Sequence, residues 1–552
     1  MRDALAQTQR NTKGCIVNRV VVTIVSLCLC ALVCAVPAYR GPMSYRQPDG
    51  SEIVLYQHGD ESFHYFTNEA GQWMQADEQG HFRIVPSLTN EQIQMRRAAS
   101  GYATRELRRV PTETTQTGVD RTLSPRGPII LVNFPDAQFS STLDEMKDWA
   151  MGSNYDYQGA TGSIHQYFQD VSYGRYNLQL DVFGPVTVDN KREYYGKDNG
   201  RVGADMRPYE LVKDACTLAV AEGADFSKYD ADNDGYVDWV VILYAGKGQA
   251  DGGADYTIWP HQYDLHNTGS TFKIHGKTLD HYCMLCELNG QTGERGGIGV
   301  FVHEFSHVMG LPDLYVTSDD GHWKTLGMWD IMDYGPYNND SKTPPAYSAY
   351  ERWFMGWLSP TLINSAATIV LPDINKNGAA AYMTEQAVEI ESGLRPRPEC
   401  YILENRQQTG WDQYLPGHGL LITRILYSYN KWKGNTVNNT ETTLGVDIIE
   451  ADGSAPEYNK WNRDNGYFGK ATDAYPAGST TFTAFSNYEI TDITEHSRRI
   501  YFKVNGGGDP IMIESIERVE QQKASTIKWL RNGQIVIRRG EELYDISGKR
   551  IQ

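Results

Sequence analysis

Two imidazoles and two carboxylates stand close together in Val302-His303-Glu304-Phe305-Ser306-His307-Val308-Met309-Gly310-Leu311-Pro312-Asp313. Histidines four residues apart on a helix leave the same face one turn from each other, as two ligands of one metal must. Glu304 sits beside them, placed to take a proton from a metal-activated water. Zinc lowers the pKa of such a water toward ~7, so a carboxylate can help turn it into a nucleophile at neutral pH. Gly310 tolerates positive φ, so the chain can reverse there and return Asp313 as a third ligand. Three protein ligands and one open position make a catalytic rather than a structural zinc site. The bland alternative is a buried helix with two incidental histidines. Rival third ligands are His322, Asp319, Asp320 and Glu351, the last of which would come from a later helix.

These side chains need a framework. Apolar residues around the histidines (Ile298, Phe301, Val302, Phe305, Val308) predict a buried helix. Pro128 to Phe134 reads as a buried strand opening this domain, and helical pattern runs through Ser163 to Gln169. Alternation over Tyr176 to Phe183 predicts a strand, Pro208 to Glu222 a helix, and Val237 to Tyr244 a second buried strand. From Ala367 to Val504 the texture changes to short alternating segments with Gly, Asn and Asp turns, among them Cys400 to Glu404 and Gly419 to Ile425. That texture predicts an all-β, sandwich-like domain. The expected fold class is α+β, a mixed sheet with an active-site helix followed by the β domain. The expected division is 1–38 leader, 39–120 propeptide or N-terminal domain, 121–360 zinc domain, 361–505 β domain and 506–552 tail.

HExxHxxGxxD followed by Gly327-Met-Trp-Asp-Ile-Met332 resembles the metzincin pattern with Asp in place of the third His. More narrowly, the chain resembles the immune inhibitor A family of secreted bacterial metallopeptidases, family M6. Gly162 to Phe168, Ser172 to Tyr176, Ile258 to His261 and Pro344 to Arg352 also match, so the resemblance covers about Pro128 to Asp452. It implies a zinc endopeptidase of protein or peptide substrates, with Met332 as a hydrophobic floor beneath the ligands (Met328 being its rival). It further implies Tyr334 as a hydrogen-bond donor to the tetrahedral intermediate. A calcium site is implied too, and Asp230, Asp232, Asp234, the Tyr236 carbonyl and Asp238 around Gly235 offer hard oxygens for it. Val241 stands where an EF-hand has its twelfth-position Glu, and a solvated acidic turn is the plainer reading. Two other function classes fit the same residues: a zinc hydrolase of a non-protein bond, such as a cell-wall amidase, and a surface adhesin with a vestigial site.

The flanks suggest export. Arg10, Lys13 and Arg19 precede an apolar run from Val20 to Val36, ending in Val36-Pro37-Ala38, which reads as a secretory signal. The run is short for a membrane anchor, which needs ~20 apolar residues. Arginines at 96, 97, 105, 108 and 109 and a Thr-rich stretch to Thr117 resemble the end of a removable propeptide. With no cysteine between leader and Cys216, latency cannot use a thiol, and His58, Asp60, Glu61 or His64 could reach the metal instead. A net charge of −18 excludes a phosphate-binding surface of ordinary kind, so no nucleic-acid partner is expected. Cys216, Cys283, Cys286 and Cys400 are expected to form disulfides in an exported chain. The last forty residues end in two apparent strands, Gln534 to Arg538 and Leu543 to Ile546, resembling type IX sorting tails. Secretion or surface display without membrane insertion is the expected location; oligomeric state has no signal in the sequence.

Overall fold

The computed structural model describes residues 36–60, 63–77, 79–99, 124–198, 204–318, 322–384, 399–459, 462–483, 488–513, 526–531, 534–539 and 542–544. Of the expected leader only Val36 to Ala38 lie among them, and the Thr-rich stretch, Glu61, Asp319 and Asp320 lie outside. No helix among the described residues is long and apolar enough to cross a membrane.

The N-terminal part is an antiparallel meander, β1 (Pro42–Arg46), β2 (Glu52–Asp60), β3 (Phe63–Thr67), β4 (Trp73–Ala76) and β5 (Phe82–Ile84), followed by helix α1 (Asn90–Ala99). Arg97 of α1 clamps both oxygens of Asp60 at 2.8 and 2.7 Å in a buried pair. Next come β6 (Arg126–Asn133), α2 (Leu143–Met151), α3 (Ile164–Val171), β7 (Gln179–Thr187), α4 (Pro208–Ala221), β8 (Tyr236–Val237), β9 (Val240–Lys247), β10 (His261–Asp264), β11 (Phe272–Ile274), β12 (Lys277–Leu279) and β13 (His281–Leu288). Their main sheet runs β10-β13-β9-β6-β7, with β13, β9, β6 and β7 parallel and β10 antiparallel on the edge.

Both faces of this sheet are covered, so its central strands read as continuous apolar runs instead of an alternation. Alternate residues feed two cores: Ile129, Leu131, Val241 and Leu243 join one, while Ile130, Val132, Val240 and Ile242 join the other. The first core takes helix α5 (Gly299–Val308), and the second takes α4. The same period of two disposes of the expected disulfides. Cys283 and Cys286 are three apart on one strand, so their sulfurs leave opposite faces. All four of Cys216, Cys283, Cys286 and Cys400 are free thiols packed in or against the cores.

Beyond helix α6 (Ala349–Phe354) lie two five-stranded sheets. One runs β14 (Thr361–Leu362), β16 (Ala381–Met383), β17 (Cys400–Arg406), β18 (Gly419–Ile425), β19 (Val446–Ile448). The other runs β20 (Phe482–Thr483), β21 (Glu489–His496), β22 (Arg499–Val504), β15 (Ala367–Leu371), β23 (Pro510–Met512). Ile369, Leu403, Ile422, Ile490 and Phe502 from both sheets share one core. The tail carries β24 (Thr526–Arg531), β25 (Gln534–Arg539) and β26 (Glu542–Tyr544), a three-stranded sheet where two strands were expected.

The β unit is bonded firmly to the α/β unit. Buried Lys324 pairs with Asp473 at 2.8 Å and Glu450 at 3.1 Å, and Trp329 donates to Asp473 at 3.0 Å. Arg406 grips Asp412 at 2.7 and 2.6 Å and also donates to the Ala346 carbonyl at 3.0 Å, while Asp412 accepts from Ala346 N at 2.9 Å. Removing the guanidinium would strand buried Asp412 and Glu404. Arg406→Met is therefore expected to cost about 3–5 kcal/mol, measured as a lowered urea midpoint at unchanged slope.

Candidate metal centre and active site

Helix α5 is buried along almost its whole length, its apolar residues Phe301, Val302, Phe305 and Val308 packing into the core while His303, Glu304 and His307 are buried at the site. Phe301 and Phe305 stack on each other at 5.6 Å and meet Trp149, Phe168 and Trp239 edge-on. His303 follows Phe301 by two residues, about 200° round the helix, so packing the aromatic face drives the histidines out of the opposite one. After Val308 the chain turns at Gly310, whose φ is +96°. Gly310 N and Leu311 N close the helix end onto the His307 and Ser306 carbonyls at 2.9 and 3.0 Å. That reversal brings Asp313 back over the helix.

The three expected ligands converge. Nε2 of His303 and Nε2 of His307 are 3.2 Å apart, and Asp313 Oδ1 lies 3.2 and 3.3 Å from them. A tetrahedral zinc with ligands at about 2.0–2.1 Å sets its ligand atoms about 3.3–3.4 Å apart, so the spacing fits. The tautomers fit as well. Nδ1 of His303 donates to the Ile331 carbonyl at 2.8 Å and Nδ1 of His307 to the Leu311 carbonyl at 2.7 Å, which leaves lone pairs on both Nε2 atoms. Asp313 Oδ1 is buried with no hydrogen-bond donor among the described residues. Three electron-rich atoms facing one another in a water-excluded site are mutually repulsive without a cation between them.

Neighbouring backbone and side chains lock this set. Leu314 N donates to the Met332 carbonyl at 2.8 Å, and Met332 N to Asp330 at 2.8 Å, so Met332 is buried in the turn that also supplies Ile331 O to His303. Asn435 holds the third ligand: its Nδ2 donates to Asp313 Oδ2 at 2.5 Å while its Oδ1 accepts from Asp313 N at 2.7 Å. Nothing in the sequence marks this asparagine, 122 positions away in the β unit. The rival Glu351 is a helix cap, accepting from Ser348 N at 2.6 Å and Ser348 Oγ at 3.0 Å. Ser348-Ala-Tyr-Glu351 is a capping box that the sequence already displays. His322 is not in the metal group.

Glu304 is completely buried next to the ligands, and its Oε1 accepts a hydrogen bond from the backbone N of Val36 at 2.9 Å. The segment 36–40 fills the cleft. Trp259 Nε1 donates to Val36 O at 3.3 Å, Tyr337 OH to Pro37 O at 2.7 Å, Tyr39 N to Ala250 O at 2.9 Å, and Tyr458 OH to Arg40 O at 3.1 Å. Val36 packs with Ala38, Ala250 and Trp259, and against Val300 and Tyr337. The side chains considered for blocking the metal are engaged elsewhere. Asp60 is on Arg97, His58 on Thr67 Oγ1 at 2.9 Å, and His64 on Asp198 at 3.0 Å with its ring stacked on Trp259. Tyr334 is buried with the Arg40 guanidinium 5.5 Å from its ring centre. Burial holds its phenol well above the ordinary value, with Arg40 pulling the other way, so it keeps its proton at neutral pH.

The acidic loop stands apart from this centre. Carboxylate oxygens of Asp230, Asp232 and Asp234 come within 4.8 Å of one another. They are aimed at the turn's own N–H groups: Asp230 accepts from Asp234 N and Gly235 N at 3.0 and 3.1 Å, and Asp234 from Tyr236 N at 2.8 Å. Asp238 accepts from Ala231 N at 3.1 Å. Lys277 Nζ sits 2.6 Å from Asp230 Oδ2, so an ammonium already occupies one of the oxygens that a calcium ion would take.

Comparison with known proteins converges on the same region. Residues 129–358 match the model of the immune inhibitor A peptidase M6 catalytic domain. Immune inhibitor A of Bacillus thuringiensis subsp. alesti is 29% identical over 260 residues, covering 41% of this chain and 36% of that protein. Pre-pro-metalloprotease PrtV of Vibrio cholerae serotype O1 is 26% identical over 239 residues, covering 37% of this chain and 25% of that protein. The matched region thus spans roughly a quarter to a third of these relatives.

Because Asn435 fixes the position of Asp313, the expected third ligand, Asn435→Ala is expected to weaken zinc binding about 10–100-fold, read by competition with a chromophoric chelator. The match at residues 129–358 includes α5, Gly310, Asp313 and the Met332 turn, and over this region the chain is similar to the immune inhibitor A, or M6, peptidases.

Proposed function

We propose that the chain is a secreted zinc endopeptidase that hydrolyses peptide bonds in protein substrates, with His303, His307 and Asp313 as metal ligands and Glu304 as general base and acid. The observation that carries this is the convergence of three lone-pair atoms beside a carboxylate that already holds a peptide nitrogen. Zinc supplies a Lewis acid for the scissile carbonyl and a water acidic near neutral pH. Glu304 takes the proton from the attacking water and delivers it to the nitrogen that leaves. The hydrogen bond it accepts from Val36 N sets a peptide nitrogen on the carboxylate, the juxtaposition that the second transfer needs. Met332 gives the ligands an apolar floor, and Tyr334 lies in the same wall of the cleft with its proton in place.

The reading extends to regulation. With segment 36–40 along the cleft and Glu304 engaged by its backbone, the N-terminal sheet keeps the enzyme latent; this reading requires the leader, expected over 1–38, to end before Val36 instead. The C-terminal pair of sheets with its common core is a sandwich-like domain that completes the site through Asn435.

Full chain nicked by trypsin in its arginine-rich stretch after Ala99 is expected to cut unfolded casein faster than the intact chain. Cleavage should stop with 1,10-phenanthroline and return with added zinc. Glu304→Ala is expected to lose at least about a hundredfold in rate while binding zinc in the same ratio by inductively coupled plasma analysis. Undiminished cleavage by that variant would remove Glu304 from the mechanism.

A further inference from the structure

Arg40 lies among three aromatic rings. Its guanidinium carbon is 5.5 Å from the ring centre of Tyr334, 5.1 Å from that of Tyr458 and 5.9 Å from that of Tyr467. Phe468 backs the three rings, edge-on to Tyr334 at 4.9 Å and to Tyr467 at 5.0 Å. Arg40 also donates to Tyr467 OH at 3.3 Å, and no carboxylate of the described residues lies in ion-pair range of it. A cation held by ring faces instead of an anion keeps its attraction in a desolvated site and asks for no compensating charge. Arg suits such a cage better than Lys because its planar, weakly hydrated head stacks on rings.

None of the cage residues belongs to the N-terminal sheet. Tyr334 follows the Met332 turn, and Met328 N donates to Phe468 O at 2.8 Å, which ties the 458–468 stretch to that turn. The cage therefore stays with the catalytic body when the N-terminal sheet leaves. The remaining grip on segment 36–40 is suited to any peptide, since Trp259, Tyr337 and Tyr458 all donate to backbone carbonyls. Side-chain contacts come from the apolar pocket around Val36 and Ala38, from Tyr337 edge-on to Tyr39 at 6.1 Å, and from the cage around Arg40, which alone is suited to a cation.

The register comes from Glu304. The nitrogen on its carboxylate occupies the place of the leaving nitrogen, so Val36 corresponds to the first residue after the scissile bond and Arg40 to the fifth. We propose that Tyr334, Tyr458 and Tyr467 form a substrate subsite for a cationic side chain, arginine above lysine, at the fifth residue after the scissile bond. The proposal rests on the peptidase reading above for its register, while the cage itself rests on the three ring distances.

The test uses the full chain carrying Arg40→Ala and nicked by trypsin after Ala99, so that its own segment no longer fills the cage. Two amide-capped peptides are compared, Gly-Gly-Val-Ala-Ala-Tyr-Arg-Gly and the same peptide with Ala in place of Arg. The arginine peptide is expected to be cut between Gly and Val with kcat/KM about fivefold or more higher, the gain lying in KM. In the Tyr458→Leu/Tyr467→Leu variant the ratio between the peptides should fall to about one. Equal rates on a chain that cuts casein would overturn the proposal. Anisotropy with a fluorescein-labelled Val-Ala-Ala-Tyr-Arg-Gly peptide, beside its alanine counterpart, reads the cage without catalysis. Preferential binding of the arginine peptide by a chain that does not cut casein would uphold the cage and sink the peptidase reading. Equal binding of the two peptides would overturn the cage.

Discussion

Three lone pairs pointed at one spot, with no water admitted, are the constraint on which this structure is organised. Nothing about two imidazoles and a carboxylate favours that arrangement by itself. It persists because each Nδ1–H is tied to a backbone carbonyl, Ile331 for His303 and Leu311 for His307, and because Asn435 bonds Asp313 from both sides. The aromatic packing of Phe301 and Phe305 fixes the rotation of the helix beneath. Gly310 sets the sharpness of the return, and the Met332 turn closes the floor. Each device acts on a different atom of the same small cluster.

This arrangement explains why the β unit is fastened to the α/β unit by buried charge. Lys324 pairs across the two bodies with Asp473 and Glu450, which would be left buried if the bodies slid apart, while the Arg406–Asp412 pair inside the β unit holds Ala346 of the other body by its carbonyl and N–H. Buried pairs of this kind add little net stability, but they resist any register other than the native one. Asn435 needs that fidelity, because a shift of an ångström would release the carboxylate it holds.

Much of the centre was legible in the sequence because its logic is local. The four-residue spacing of the histidines, the adjacent Glu304, the glycine stop and Asp313 all act within a turn or two of helix, where periodicity determines direction. Strands such as Gly419 to Ile425 were legible for the same reason. The strand expected over Tyr176 to Phe183 begins three residues later, since tertiary pairing with β6 sets where a ladder starts. What could not be read depends on distant partners. Asn435 is one asparagine among many until the fold brings it to Asp313. Lys277 pairs with Asp230 of the acidic loop from a strand more than forty residues on. The cysteines looked like disulfide partners because export was expected, whereas Cys283 and Cys286 leave opposite faces of one strand and all four are free thiols. The contact of Val36 with Glu304 is made by a backbone amide, a group every residue carries and no sequence pattern marks.

The region recognisable as a family domain ends at Leu358, but the metal site does not. Asp313 is made 122 residues before the asparagine that aims it, so a growing chain carries an incomplete centre until most of the β unit has been synthesised and docked. The unit of inheritance and the unit of function have different borders in this protein. A fragment trimmed to the recognisable domain would keep His303, His307 and Asp313 and lose the asparagine that holds Asp313 against the two histidines.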